Sequence, residues 1–153
     1  MNGRKKAQEE QKGGEELVGM TDVEVTGSEQ RIFQLCDIVR EASFDLHKYL
    51  RHGHMEKVYE NGLAIRLLKR GLEVKQQHPL AVRDQDGTEL GHYAVDLLVE
   101  KVLIVEIKAT SSIAQEHFAQ ILGYLRACGM EHGLLIKFGA PRLYIKKLYL
   151  SSL

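Results

Sequence analysis

The sequence predicts an α/β domain of the α+β-like kind, a mixed sheet flanked by helices. Three observations predict it. Apolar residues recur every three or four positions between Ser28 and Arg70. The period drops to two after Gly71, and a helical stretch from Ser112 to Cys128 then separates one apolar run from the next.

The first helix rests on Ile32, Leu35, Val39, Ala42, Leu46 and Tyr49, which form one stripe, with Ser28 as its expected N-cap. Gly53 interrupts it. A second helix follows from Met55 to Arg70, closed by Gly71 where a C-terminal glycine belongs. Val74, Gln76, His78, Leu80 and Val82 then alternate as a strand. The Asp86-Gly87 pair supplies a hairpin turn into a second strand, Leu90 to Val99. The third strand, Val102 to Lys108, is apolar on both faces until Glu106, which places it inside the sheet. Ser112 with Gln115 has the pattern of a capping box, and Gly129 ends the helix that follows. Leu134 to Phe138 is too short for a helix and is expected to pair beside the third strand. Leu143 to Leu150 is expected at the edge of the sheet.

With 153 residues and 44% hydrophobic content, the chain can fill one core, so residues 28–153 are expected to form one domain. Residues 1–27 have few aliphatic side chains, and a disordered polar tail is expected there. The longest apolar runs, Val102–Val105 and Gly133–Ile136, are far shorter than the roughly 20 residues that a helix needs to span a bilayer, so no membrane partner is expected. Met1 to Gly14 mixes lysine with glutamate and has no secretory pattern. Cys36 and Cys128 alone do not make a disulfide framework or a zinc site, which fits a reducing, cytoplasmic location. The 21 basic and 21 acidic residues cancel, but the distribution is uneven: Arg126, Lys137, Arg142, Lys146 and Lys147 face only Glu131. Either a local basic surface over Arg126, Arg142, Lys146 and Lys147 or a solvated charged edge strand is consistent with this.

The stretch from Asp96 to Lys108 carries the chemistry. Alternation puts Glu106 and Lys108 on one face of their strand, directly after a run that should be buried. Asp96 lies on the preceding strand. A two-residue turn would pair Asp96 with Val105 and set the carboxylates on opposite faces, so a bulge or a three-residue loop is expected near Glu100-Lys101. Two carboxylates that close repel unless a cation lies between them, and hard oxygen ligands suit Mg2+ or Mn2+. A neighbouring lysine can orient a water and offset charge growing on a phosphate, which is the chemistry of phosphodiester hydrolysis. An ordinary cross-strand ion pair would have the same spacing. His117, Gln120 and Tyr124 share one face of the later helix, at the boundary between its apolar and polar sides.

Taken in order, the motifs Gly53-x-x-Glu56-x-x-Tyr59, Leu90 to Asp96, Val105 to Ala109, His117 with Gln120, Tyr124 to Arg126 and Gly133 to Gly139 resemble the GxxExxY proteins, a branch of the PD-(D/E)XK nuclease-like superfamily. The resemblance runs from about Ile38 to the C-terminus. It implies a restriction-endonuclease-like αβββαβ core with Asp96, Glu106 and Lys108 as the signature residues. It also implies the Ile107 carbonyl as a further metal ligand, and Glu56 and Gln120 reaching the site, with Tyr59 as a packing residue. The segment Arg51 to Met55 lacks the proline and second glycine usual in relatives, and Lys137 stands where many have asparagine. The function so implied is a Mg2+-dependent nuclease acting on DNA or RNA. The alternatives are a binding module that keeps the fold without turnover, and a protein that self-associates through its C-terminal edge strand.

Overall fold

A computed structural model of the chain describes residues 26–151, so the tail expected over residues 1–27 lies almost wholly outside the described residues. Helix α1 spans Gly27–Leu50 and α2 spans Glu56–Lys69. Three strands follow, β1 (Val74–Arg83), β2 (Glu89–Val99) and β3 (Leu103–Lys108). Helix α3 (Gln115–Cys128) then leads to β4 (His132–Lys137) and β5 (Tyr144–Tyr149). The strands lie in the order β1-β2-β3-β4-β5. Only the β3–β4 pair is parallel, because α3 carries the chain back to the starting edge of β3 before β4 begins. This is the mixed sheet that the periodicity predicted. Among the described residues, no helix is long and apolar enough to cross a membrane.

The part of the chain from Ile32 onward forms one compact unit. Its sheet buries two faces. On one face Leu97, Val99, Leu103, Val105 and Ile107 pack with the α1 and α2 stripes, including Leu35, Val39, Leu63 and Leu67. On the other, Leu98, Ile104 and Leu135 pack with Ile121, Tyr124 and Leu125 of α3. Burying each such leucine or isoleucine contributes about 1.5–3 kcal/mol, so these two layers fix where the ends of β2 and β3 must lie.

Two expected caps are corrected. Helix α1 is capped by Thr26 rather than Ser28. The Thr26 hydroxyl accepts the Glu29 N–H at 3.3 Å, and the Glu29 carboxylate accepts the Thr26 N–H at 2.9 Å. Counted from Ser28, the third helical residue is Arg31, a donor that could not complete such a box. Helix α3 is capped at Ala114, whose N–H is taken by His117 Nδ1 at 3.3 Å, not at Ser112. The backbone around Ser112 is engaged elsewhere, since the Thr110 hydroxyl donates to the Ser112 carbonyl and Lys137 Nζ to the Ser111 carbonyl. This segment is drawn against the chain leaving β4. Phe138 N–H donates to the Lys108 carbonyl at 2.8 Å, and Gly139 passes so near Ala109 that a Cβ there would lie 2.1 Å from its carbonyl oxygen.

Candidate active site

The β2–β3 connection is the three-residue loop that the site requires. Val99 pairs with Leu103, leaving Glu100, Lys101 and Val102 to turn the chain, with Glu100 and Lys101 both at positive φ. The ladder runs Val99↔Leu103, Leu98↔Ile104 and Leu97↔Val105 and then stops. The next opposed pair would be Asp96 and Glu106. There, side chains take the place of the ladder bonds: Asp96 N–H donates to Glu106 Oε1 at 3.0 Å, and Ile107 N–H donates to Asp96 Oδ2 at 2.8 Å. Asp96 and Glu106 are only 8% and 4% exposed, so both carboxyls sit inside the protein, turned toward one another.

The third strand explains why the parting occurs here. Register places Gln77 of β1 opposite Asp96, yet Gln77 has φ +50 and takes no place in the ladder between Gln76↔Leu97 and His78↔Val95. A non-glycine residue in that region costs about 1–2 kcal/mol. Alternation on β2 slips at the same point: Val95 packs on the α3 side with Leu98, whereas Leu97 and Val99 face α1 and α2. Gln77 Nε2 uses the departure to bridge two acids, donating to Asp96 Oδ1 at 3.2 Å and to Glu60 Oε1.

The electrostatics follow from burial. Burial first, and the Asp96 charge second, push the Glu106 carboxyl up to about 8. Asp96 is raised as well, chiefly by burial, against the opposing pull of the Ile107 N–H. Buried and facing each other, the two carboxyls form a pair that retains a proton separate, exposed carboxylates would lose. Glu56, at the start of α2, has an exposed outer edge, but crowding by the surrounding protein and the Asp96 charge raise it. Lys108 and the Ala109 N–H act in the other direction on Glu56, which places Glu56, Asp96 and Lys108 within electrostatic reach of one another. Tyr124 of α3 is pushed up to about 12 by burial and then by the Glu106 and Asp96 charges.

Of the residues expected at the site, Glu56, Asp96, Glu106 and Lys108 are therefore brought together. Gln120 is exposed, and the group of the site it influences is Tyr124. Ile107 engages Asp96 through its N–H, and its side chain is buried in the α1–α2 layer. Tyr59 packs as expected, stacked on Phe138 at 4.6 Å between centroids. The four basic residues do not share a surface. Lys146 and Lys147 are adjacent on β5 and leave its opposite faces, Lys147 lying 4.3 Å from the Phe33 ring of α1. Arg126 lines a depression at the far end of α3, and Arg142 lines another beside α1.

Sequence reasoning missed Glu60 and Gln77. Glu60 is 2% exposed. Burial opposes its ionisation, but hydrogen bonds from Lys57, Gln76 and Gln77 outweigh that and hold it below the ordinary glutamate range. Its position four residues after Glu56, on the same face of α2, was a usable signal. Nothing in the sequence marks Gln77.

Among the described residues, no three His, Cys, Asp or Glu side chains converge closely enough to enclose a metal ion between them. Asp96 and Glu106 offer two hard oxygen donors whose mutual repulsion a divalent cation would relieve. That set fits Mg2+, which keeps several of its waters and binds through one or two carboxylates.

A family model described as PD-(D/E)XK nuclease superfamily matches residues 33–148. It names the superfamily and not the GxxExxY branch, which remains a resemblance of the motif residues. The fold is also similar to the crystal structure of SSO0001, with a TM-score of 0.50 and 18% identity over 63% of this chain. The chain spans about half, 50%, of that protein. No curated protein matches.

Proposed function

Because the chain belongs to the PD-(D/E)XK nuclease superfamily, we propose that it is a Mg2+- or Mn2+-dependent nuclease that hydrolyses phosphodiester bonds in DNA or RNA. One observation carries this reading: two buried carboxyls, Asp96 and Glu106, face each other where β2 and β3 part, next to Lys108. A purely structural ion pair would not bury two acids together, since each pushes the other toward its neutral form.

Asp96 and Glu106 would hold the metal, with the Ile107 carbonyl as a further oxygen ligand. The bound ion would supply an acidified water as nucleophile and would polarise the phosphoryl group. The Asp96 carboxylate is oriented by the Ile107 N–H on one oxygen and by Gln77 on the other, and each oxygen keeps a lone pair for the ion. Lys108 orients the attacking water and offsets the negative charge that grows on the phosphate oxygens. Glu56, within reach of Lys108 and the Ala109 N–H, would accept a hydrogen bond from that water. Tyr124, raised by burial and by the neighbouring acids, keeps its phenolic proton and would donate it in a hydrogen bond.

The test is cleavage of single- and double-stranded DNA and RNA with Mg2+, Mn2+ or EDTA. Cleavage should require the metal and fall by at least about 10³-fold in Asp96→Asn and Lys108→Ala, both still folded. The metal should raise the melting temperature of the native chain and not that of Asp96→Asn. Equal cleavage by the native and Asp96→Asn proteins would overturn the proposal, as would the absence of any metal effect on both cleavage and melting.

A further inference from the structure

Strands β3 and β4 run parallel and end side by side at Lys108 and Lys137. At this same end of the sheet lies a cleft of about 550 Å3, with Phe44, His47, Lys48 and Arg51 of the α1 end on one wall and Pro141, Arg142 and Leu143 on the other. The nuclease reading makes no use of it.

Both walls are tied to the framework beneath the site. On the strand side, Phe138 N–H donates to the Lys108 carbonyl, and His47 Nε2 donates to the Ala140 carbonyl at 2.9 Å. On the helix side, the Tyr59 hydroxyl donates to the Arg51 carbonyl at 2.6 Å, and the Tyr59 ring stacks on Phe138. The cleft is thus fixed by the same residues that hold the end of β3.

Its charge is unbalanced. Lys48, Arg51 and Arg142 are exposed and make no ion pair among the described residues, whereas Lys57 and Arg70 elsewhere are paired with acids. The one acid in the lining, Asp45, is held by Arg70 at 3.4 Å. Arg51 adopts φ +62, a conformation a non-glycine residue takes at a cost, and one that ends α1 with this side chain in the cleft. Phe44 remains 52% exposed in the lining. Unpaired cations along a groove with an accessible aromatic ring are the features by which proteins hold a single strand, the cations on phosphates and the ring on a base.

Resting on the nuclease reading, we propose that this cleft is a track for single-stranded nucleic acid leading to the site, with phosphates on Lys48, Arg51 and Arg142 and a base on Phe44. A duplex would have to open to follow it.

Binding of fluorescent oligothymidylate and oligouridylate to the Asp96→Asn protein in EDTA tests this without cleavage. Lys48→Ala, Arg51→Gln and Arg142→Ala should each weaken binding several-fold. Combined, they should reduce the slope of log affinity against log salt by about 2, at roughly 0.7 per lost phosphate contact. Phe44→Ala should weaken binding about 5-fold or more at unchanged slope. Lys69→Ala, at the opposite end of α2, should change nothing. A triple variant with native melting, affinity and slope would overturn the track, as would native protein that binds duplex but no single strand. Should Arg51→Gln fail to fold, Lys48→Ala with Arg142→Ala decides, with an expected slope change of about 1.4. Strand binding through the cleft without metal-dependent cleavage would sink the nuclease reading alone. Metal-dependent cleavage unaffected by the cleft variants would sink the track alone.

Discussion

The three laddered pairs of the β2–β3 hairpin, Leu97↔Val105 to Val99↔Leu103, are apolar, whereas one residue further from the turn, at Asp96 and Glu106, the hairpin is acidic and its backbone bonds are replaced by side chains. Both halves are buried. They differ in what burial does to them. At Leu97, Val99 and Leu103, exclusion of water contributes stability, and at Asp96 and Glu106 it disfavours the charged form. The folding energy of the first half holds the second in a place its own charges oppose, which is how a rigid element can carry a site that costs stability.

One substitution in each half separates the two effects of burial. Leu97→Ala should cost about 2–5 kcal/mol, because the buried β2–β3 core cannot collapse around the lost atoms. Glu106→Gln keeps an oxygen to accept the Asp96 N–H and removes a buried charge. In metal-free buffer near pH 9 it should leave the urea midpoint equal to or above that of the native chain, while abolishing cleavage. A destabilisation by Glu106→Gln comparable with that of Leu97→Ala would mean that the carboxylate is part of the structural core.

The laddered half was legible in the sequence and the parted half only partly. Alternation from Val74 to Val82, the Asp86-Gly87 turn and the two-faced apolar run before Glu106 specify the strands, because each reports which face is dry. The register argument also foresaw an irregularity near Glu100-Lys101, a bulge or a three-residue loop, because a two-residue turn would set Asp96 opposite Val105; of the two, the loop of Glu100, Lys101 and Val102 is present. What stayed hidden depends on contacts distant in sequence. Gln77 is an unremarkable residue until Asp96 and Glu60 arrive on either side of it. Arg142 looked like a neighbour of Lys146 and Lys147, and tertiary structure sets it beside Lys48 and Arg51, some 90 residues away. The separation of Lys146 from Lys147 was readable, because successive strand residues leave opposite faces.

A second contrast is in pH. The folded Glu106 carboxyl is raised to about 8 from an ordinary 4.5, and Asp96 is raised with it. Between those values the folded state holds a proton that the unfolded chain has released, so stability in EDTA should fall as pH rises across the window and level off above it. The slope is at most roughly 1.4 kcal/mol per pH unit for one proton. Mg2+ should reverse the fall, binding more tightly as pH rises because its ligands must be deprotonated. Glu60, held below its ordinary value, acts oppositely and adds stability that is lost in acid. Urea midpoints from pH 5 to 9, with and without Mg2+, read both effects. A flat EDTA profile that Glu106→Gln does not alter would show that the pair is not coupled by burial.

The smallest effect concerns the residue at which the two halves meet. Gln77→Gly relieves the cost of φ +50 and deletes the bridge from Asp96 to Glu60. The strain released, about 1–2 kcal/mol, is similar to the one or two hydrogen bonds lost, so the melting temperature should barely move. Orientation of the Asp96 carboxylate has no such compensation, and groups that aim a metal ligand are typically worth 10- to 100-fold in affinity or rate. Cleavage and Mg2+ affinity should therefore fall by roughly 10-fold or more in a protein as stable as the native one. Gln77→Ala, which loses the bridge but keeps the strain, should show the same loss of Mg2+ affinity with a lower melting temperature. Equal Mg2+ affinity in the native chain and both variants would assign Gln77 to the fold of β1 rather than to the site.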